Sequence, residues 1–150
     1  MLLSKEVAVY LNLVACKFKQ YTAAMLRKNN VNLSPEQFLL IDLLWNQGPM
    51  SQQNLADKMH KDKNSITKLL DGLEKKRLIE RRQDSKDRRS NTIHLTADAE
   101  EMKVEAKEKG ISILDSILEG IDEAELRAFL DTISKLDKNM DSTVCGEAAE

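Results

Sequence analysis

Residues 51–96 read SQQNLADKMHKDKNSITKLLDGLEKKRLIERRQDSKDRRSNTIHLT, and the spacing of apolar residues within them decides the fold. Ser51 can cap a short helix of about two turns with Leu55, Ala56 and Met59 inward. Asn54, three residues on, is shorter than the Glu or Gln that completes a capping box. After His60-Lys61, Asp62 can cap a second helix, and Ile66, Leu69, Leu70 and Leu73 recur at helical spacing as its buried stripe. That stripe turns Lys63, Asn64, Ser65, Thr67, Lys68 and Asp71 outward. Leu78-Ile79-Glu80-Arg81-Arg82 and Asn91-Thr92-Ile93-His94-Leu95 then read as paired strands around a hydrophilic turn, 83–90.

Two short helices followed by a charged hairpin make a winged helix-turn-helix, so the fold class is mainly α with a small β-hairpin wing. In such units the start of the second helix enters the major groove of double-stranded DNA. Lys63, Asn64, Ser65, Thr67 and Lys68 lie at that end, and Ser51 and Gln52 open the preceding helix. The turn carries Lys86, Asp87, Arg88 and Arg89, and a guanidinium on a hairpin tip suits the enhanced negative potential of a narrow minor groove. Any amphipathic helix has a polar face and many loop tips are basic. Both signals at this separation favour DNA over either coincidence.

Working outward, Val7, Tyr10, Leu11, Val14, Phe18, Tyr21 and Met25 give the N-terminal segment the periodicity of a long helix with one buried stripe, closed by Asn29-Asn30. Ser34-Pro35-Glu36-Gln37 combines a cap, a proline at the first helical position and a capping-box glutamine. Phe38, Ile41, Leu44 and Trp45 follow as that helix's inner face, and Gly48-Pro49 stops it. On the other side, Thr96 can cap a long helix with acids in its first turn and an apolar line of Val104, Ile111, Leu114, Ile117 and Leu118. Gly110 in its middle marks a bend or a close packing contact, and Gly120 ends it. Asp122 to Glu125 resembles a capping box for a last helix with Leu126, Phe129, Leu130, Ile133 and Leu136 inside. The polar stretch after Met140 reads as a fraying tail.

With 150 residues, 41% of them apolar, the chain has the size of one domain with a real core. The outer helices are too long and too apolar on one face for the small central unit to cover. A second copy of the chain is the simplest cover, and two-fold symmetry would present two readers to successive turns of DNA. A net charge of -2 argues against a nucleic-acid partner until it is divided along the chain. Residues 51–96 hold 12 basic and 7 acidic groups (+5), whereas 97–150 hold 6 and 15 (-9) and 1–50 hold 5 and 3 (+2). Positive charge gathers on the reader, as an electrostatic footprint should.

These residues resemble the MarR family of bacterial transcription regulators over about Lys5 to Met140. The family's D-x-R turn and returning strand ending in Leu-Thr appear here as Asp87-Arg88-Arg89, Ser90 to His94 and Leu95-Thr96. Asn64 to Lys76 is similar to the family's recognition helix, and Leu78-Ile79-Glu80-Arg81 to its first wing strand. The resemblance implies a single domain over 1–150, with the winged helix-turn-helix at about 34–96, dimerisation helices at about 4–29 and 96–140, and a flexible tail at 141–150. It implies that Ser65, Thr67 and Lys68 contact bases or phosphates, that Arg89 enters the minor groove, that Asp87 braces the wing, and that the protein is an obligate homodimer. Two positions depart from the family pattern. Arg77 stands where a glycine usually lets the chain leave the recognition helix, and Ala99 replaces a glycine after the Leu-Thr pair.

The same resemblance implies a repressor controlled by a small aromatic effector or by oxidation of a first-helix cysteine. Tyr10, Phe18, Tyr21, Phe38 and Trp45 could line an effector pocket between the first two helices and the start of the fifth, though most must also serve as core. Cys16 sits roughly where peroxide-sensing members keep their thiol, with burial as an inert cysteine the plainer reading. Cys16 and Cys145 form no metal-finger or disulfide pattern, which points to a reducing cytoplasm. Charges at Lys5, Glu6, Lys17 and Lys19 interrupt the N-terminal segment well short of a membrane span, and no leading basic region marks a signal peptide. With His60 and His94 as the only histidines and no nucleophile elbow or phosphate loop, nothing calls for an enzyme, a cofactor or a metal. The rival from another class is a winged-helix module that binds protein.

Overall fold

The computed structural model describes the backbone of residues 2–147 and the side chains of residues 2–141. The elements in order are α1 (Leu3–Lys28), α2 (Pro35–Gln47), β1 (Met50–Ser51), α3 (Gln52–Lys58), α4 (Lys63–Lys75), β2 (Ile79–Gln83), β3 (Asn91–Leu95), α5 (Ala97–Glu101), α6 (Lys103–Leu118) and α7 (Glu123–Glu147). The chain forms two compact units, Met1–Ile113 and Leu114–Glu150.

In the first unit the core lies beneath the central stretch. Leu40, Ile41, Leu55, Ile66, Leu70, Leu73 and Ile93 are fully buried, with Ile79 nearly so, and they join α2, α3, α4 and the sheet into one apolar cluster. The start of α2 is fixed as its sequence dictates: Gln37 N–H donates to Ser34 Oγ (3.1 Å) and Ser34 N–H donates to Gln37 Oε1 (3.1 Å), a complete capping box. Trp45 is buried in α2, and its Nε1–H donates to Ala99 O at 3.1 Å, tying α5 to the core. Lys107 closes over the same indole, 5.9 Å from its centroid, with its ammonium on Asn46 Oδ1 at 2.6 Å.

The sheet has three antiparallel strands in the order β1-β3-β2. The strand β1 pairs Met50 with Ile93 and Ser51 with Thr92. Two residues are too few to show alternation, so only the hairpin was legible in the sequence. Its register sets Ile79 opposite Leu95 and Gln83 opposite Asn91.

The C-terminal side differs from the expectation of one long helix from Thr96. The break falls at Met102, which C-caps α5 before α6 begins, and not at Gly110. Gly110 instead marks close packing: a Cβ there would lie 2.9 Å from Phe38 Cζ. In the second unit Gly120 (φ 82) follows the end of α6. Asp122 and Glu125 then exchange backbone-to-carboxylate bonds of 3.2 and 3.0 Å at the start of α7. The backbone helix continues to Glu147, beyond the Met140 at which the apolar pattern ends. The side chain of Cys145 lies outside the described residues.

Three expected buried faces are open in the protomer. On α1, Val7, Tyr10, Leu11, Val14, Phe18 and Tyr21 are all exposed, Tyr10 at 62%; Met25 is half-buried, and only Thr22 and Leu26 are buried within the helix. On α6, Val104, Ile111, Leu114 and Leu118 are exposed and Ile117 is half-buried. On α7, Phe129 and Leu130 are exposed, while Leu126, Ile133 and Leu136 are half-buried. Helical periodicity records that a stripe is apolar but not which molecule covers it. Among the described residues no helix is long and apolar enough to cross a membrane.

Candidate nucleic-acid interface

Local capping fixes the two short helices that carry the reader. Ser51 Oγ accepts from Asn54 N–H at 3.1 Å, which starts α3, and Asn54 returns no reciprocal bond to the Ser51 backbone. Asp62 Oδ1 accepts from Ser65 N–H at 2.7 Å, which starts α4. That backbone N–H is the chief cause holding the Asp62 carboxyl below its ordinary value, so the cap is charged at neutral pH and faces the positive end of the helix. Burial of Ile66, Leu70 and Leu73 then orients α4, leaving Lys63, Asn64, Lys68 and Asp71 exposed and Ser65 and Thr67 half-buried.

The wing tip is held by its own polar groups. Asp87 Oδ1 accepts from Arg89 N–H and Asp84 Oδ1 from Lys86 N–H, both at 2.9 Å, the two-residue bonding that aspartates make in turns. Gln83 Nε2 donates to Arg88 O at 2.6 Å, and Asp84 N–H donates to Ser90 O at 3.0 Å. With their backbones fixed in this way, Lys86, Arg88 and Arg89 keep their side chains exposed.

Between α3, α4 and the wing lies a cleft of about 460 Å³ lined by Gln52, Lys63, Thr67, Arg81, Arg89 and Asn91, among others. It brings Gln52 and the wing arginine to one place with α4. Arg81 joins them, a residue outside the DNA-facing set expected from the sequence. Its Nη2 bonds to Asp71 Oδ1 at 2.7 Å and to Thr67 O at 3.3 Å, and its Nη1 lies 3.5 Å from Glu74 Oε2. The signal was present in the alternation of β2, which puts Arg81 on the face of buried Ile79, opposite Ile93. The acids it meets are three residues apart on α4 and so share a helix face.

Arg77 leaves α4 in the left-handed conformation, with φ 59, the geometry a glycine there would supply. Its N–H reaches Glu74 O at 2.9 Å, Leu78 N–H reaches Leu73 O at 3.0 Å, and Thr96 Oγ1 donates to Arg77 O at 2.7 Å. The exit therefore keeps the bonding of a helix stop despite the side chain. On β3, opposite Glu80, His94 has its imidazole pushed below its ordinary pKa, first by burial and then by the charge of Arg82.

The regulatory candidates are distributed differently from the expectation. Phe38 and Trp45 pack edge to face, with centroids 6.1 Å apart, and Trp45 is committed to the core. Tyr10, Phe18 and Tyr21 are exposed along α1. Cys16 is likewise exposed on α1 and not buried, because it lies within the uncovered length of that helix. One turn beyond it, Lys19 Nζ contacts Glu36 Oε1 at 2.6 Å, and the same carboxylate receives Lys61 from the α3–α4 turn at 3.2 Å. Among the described residues no group of three or more His, Cys, Asp and Glu side chains is placed to hold a metal ion.

Comparison with known proteins places this geometry. The MarR family model matches residues 33–90. An uncharacterized HTH-type transcriptional regulator of Bacillus subtilis (strain 168), YsmB, is 30% identical over 112 residues, covering 75% of this chain and 77% of the relative. The transcriptional regulator BldR from Sulfolobus solfataricus superposes with a TM-score of 0.77 at 25% identity, over 93% of this chain and 99% of that one. Reduced AbfR, in a structure bound to DNA, shares the fold with a TM-score of 0.75 at 18% identity, over 92% and 94% of the two chains. With a wing and recognition helix of this form and relatives at this coverage, the chain belongs to the MarR family of transcriptional regulators.

Proposed function

We propose that this regulator is a cytoplasmic repressor that binds a pseudo-palindromic operator as a homodimer. The observation that carries the reading is the contrast between a closed, basic reader and an open apolar face on α1, where Val7, Tyr10, Leu11, Val14 and Phe18 lie exposed. Apolar side chains in such a row are covered in a stable soluble protein, and a two-fold partner covers identical rows on both copies at once. Duplication gives the reader its second half-site. Ser51, Gln52, Lys63, Asn64, Ser65, Thr67, Lys68 and residues 86–89 form the proposed DNA-facing set. Light scattering coupled to size exclusion, followed by titration of a duplex selected from genomic fragments at several salt concentrations, tests the reading. A dimer whose affinity falls steeply with salt is expected. A monomer, or no salt-dependent binding to any selected duplex, would favour the protein-binding module instead.

Release by a small aromatic ligand belongs to the same proposal, with Tyr10, Phe18 and Tyr21 as ligand-facing side chains once a partner closes over α1. Oxidant sensing is the second reading: Cys16 lies on the length of α1 that a partner would cover, where oxidation of its thiol would act on the dimer. Hydroperoxide should then release DNA from the wild type and not from Cys16→Ser; equal responses would end that reading.

A further inference from the structure

We infer that Thr67 is a positioning residue, and that the DNA contact expected of it is made instead by Gln52, which Thr67 holds toward the duplex. The inference rests on the DNA-binding reading above and reassigns one of its contacts. The Thr67 hydroxyl has a single proton, and that proton is committed: Oγ1 donates to Lys63 O, one turn back in α4, at 2.7 Å. The same oxygen accepts from Gln52 Nε2 at 3.0 Å. Thr67 O is occupied as well, by Arg81 Nη2 at 3.3 Å. The residue is half-buried, at the meeting point of α3, α4 and β2. A side chain in this position has no proton left to offer a base edge.

Gln52 is fixed by the same bonds. An amide can ordinarily turn over, exchanging its oxygen and nitrogen. Here the turned orientation would set two acceptors against each other, because the Thr67 proton points at Lys63 O. Gln52 must therefore give Thr67 an N–H, which leaves its Oε1 and its second N–H for another partner. Gln52 lines the cleft shared with Lys63 and Arg89. An acceptor and a donor on one rigid amide match the paired groups of a base edge better than a lone hydroxyl does, and a side chain held in one rotamer loses less freedom on binding.

A selected duplex titrated with wild type, Gln52→Ala, Thr67→Val, the double variant and Thr67→Ser tests this, with sequence preference measured by repeating the selection on each variant. Melting curves check that Thr67→Val stays folded. Gln52→Ala and Thr67→Val should each weaken specific binding about tenfold, the double variant should lose no more than either, and both should relax the same base positions. Thr67→Ser, which keeps the hydroxyl, should restore affinity and preference. Losses that multiply in the double variant, a Thr67→Val that binds like wild type, or relaxation at different positions would overturn the inference while leaving DNA binding intact. Failure of the wild type to select any sequence would instead overturn the function on which it rests.

Discussion

The Arg81 guanidinium on the first wing strand lies 2.7 Å from the Asp71 carboxylate on the recognition helix, joining the two parts of the reader by a side-chain ion pair. Arg81 is largely covered while Asp71 is half-exposed, so the pair contributes a modest stabilisation of about 1 kcal/mol or less. Its larger effect is geometric, since Glu74 and Thr67 O receive the same guanidinium and fix its direction. Arg81→Met should lower stability by about 1 kcal/mol in urea denaturation. Loss of DNA affinity in that variant should exceed the loss predicted from its charge alone, because the wing is no longer held to α4. A variant that melts earlier but binds as before would separate the wing from this ion pair.

Arg77→Gly should stabilise the protein. The left-handed conformation costs a side-chain-bearing residue about 1–2 kcal/mol, while glycine adds about 0.5–1 kcal/mol of unfolded-state entropy. A net gain of up to about 1.5 kcal/mol is expected, read as a higher denaturation midpoint at fixed protein concentration. A lower midpoint would mean that the Arg77 side chain makes a contribution greater than its backbone strain.

Arg89→Ala should leave folding and oligomeric state unchanged, because the side chain is exposed on the wing tip. Binding to a selected duplex should fall about tenfold, and the slope of log affinity against log salt should become shallower by about one counterion. Anisotropy titrations at three or more salt concentrations give both values. Unchanged affinity would remove the wing arginine from the interface.

Glu36 makes stability depend on pH at the joint between α1 and the α3–α4 turn. Chiefly the Lys19 hydrogen bond, with help from Lys61, holds its carboxyl below the ordinary carboxylate value. Such a group stabilises the fold above its unfolded pKa, and that stabilisation is lost as pH falls through the lowered folded value. Lys19, raised first by its hydrogen bond to Glu36, behaves oppositely: its share is present below the unfolded lysine value and lost as pH rises through the raised one. The stability difference between wild type and Glu36→Gln should therefore be a plateau around neutral pH, shrinking below the carboxylate range and again above the lysine range. Added salt should reduce the plateau, because Lys19 is well exposed. A difference that stays constant from acid to neutral pH would exclude the ion pairs as its source.

Short-range chemistry made much of this protein legible in its sequence. The caps at Ser34, Ser51 and Asp62, the stripe of Ile66, Leu70 and Leu73, and the strand 91–95 all depend on residues a few positions apart, and each forms as the spacing dictates. Charge by segment located the reader for the same reason, since it is a property of neighbours along the chain. Tertiary structure alone decided which partners distant groups find. Pairing of Met50 with Ile93, the Trp45 bond to Ala99 O, Arg81 beside Asp71 and Thr67 beneath Gln52 all depend on elements meeting in space, and no local pattern carries their distances. The apolar rows of α1 and α7 show the division most directly. Periodicity established that each helix has an oily face, whereas only the folded chain, in which Tyr10 and Phe129 lie exposed, showed that these residues are not part of its core.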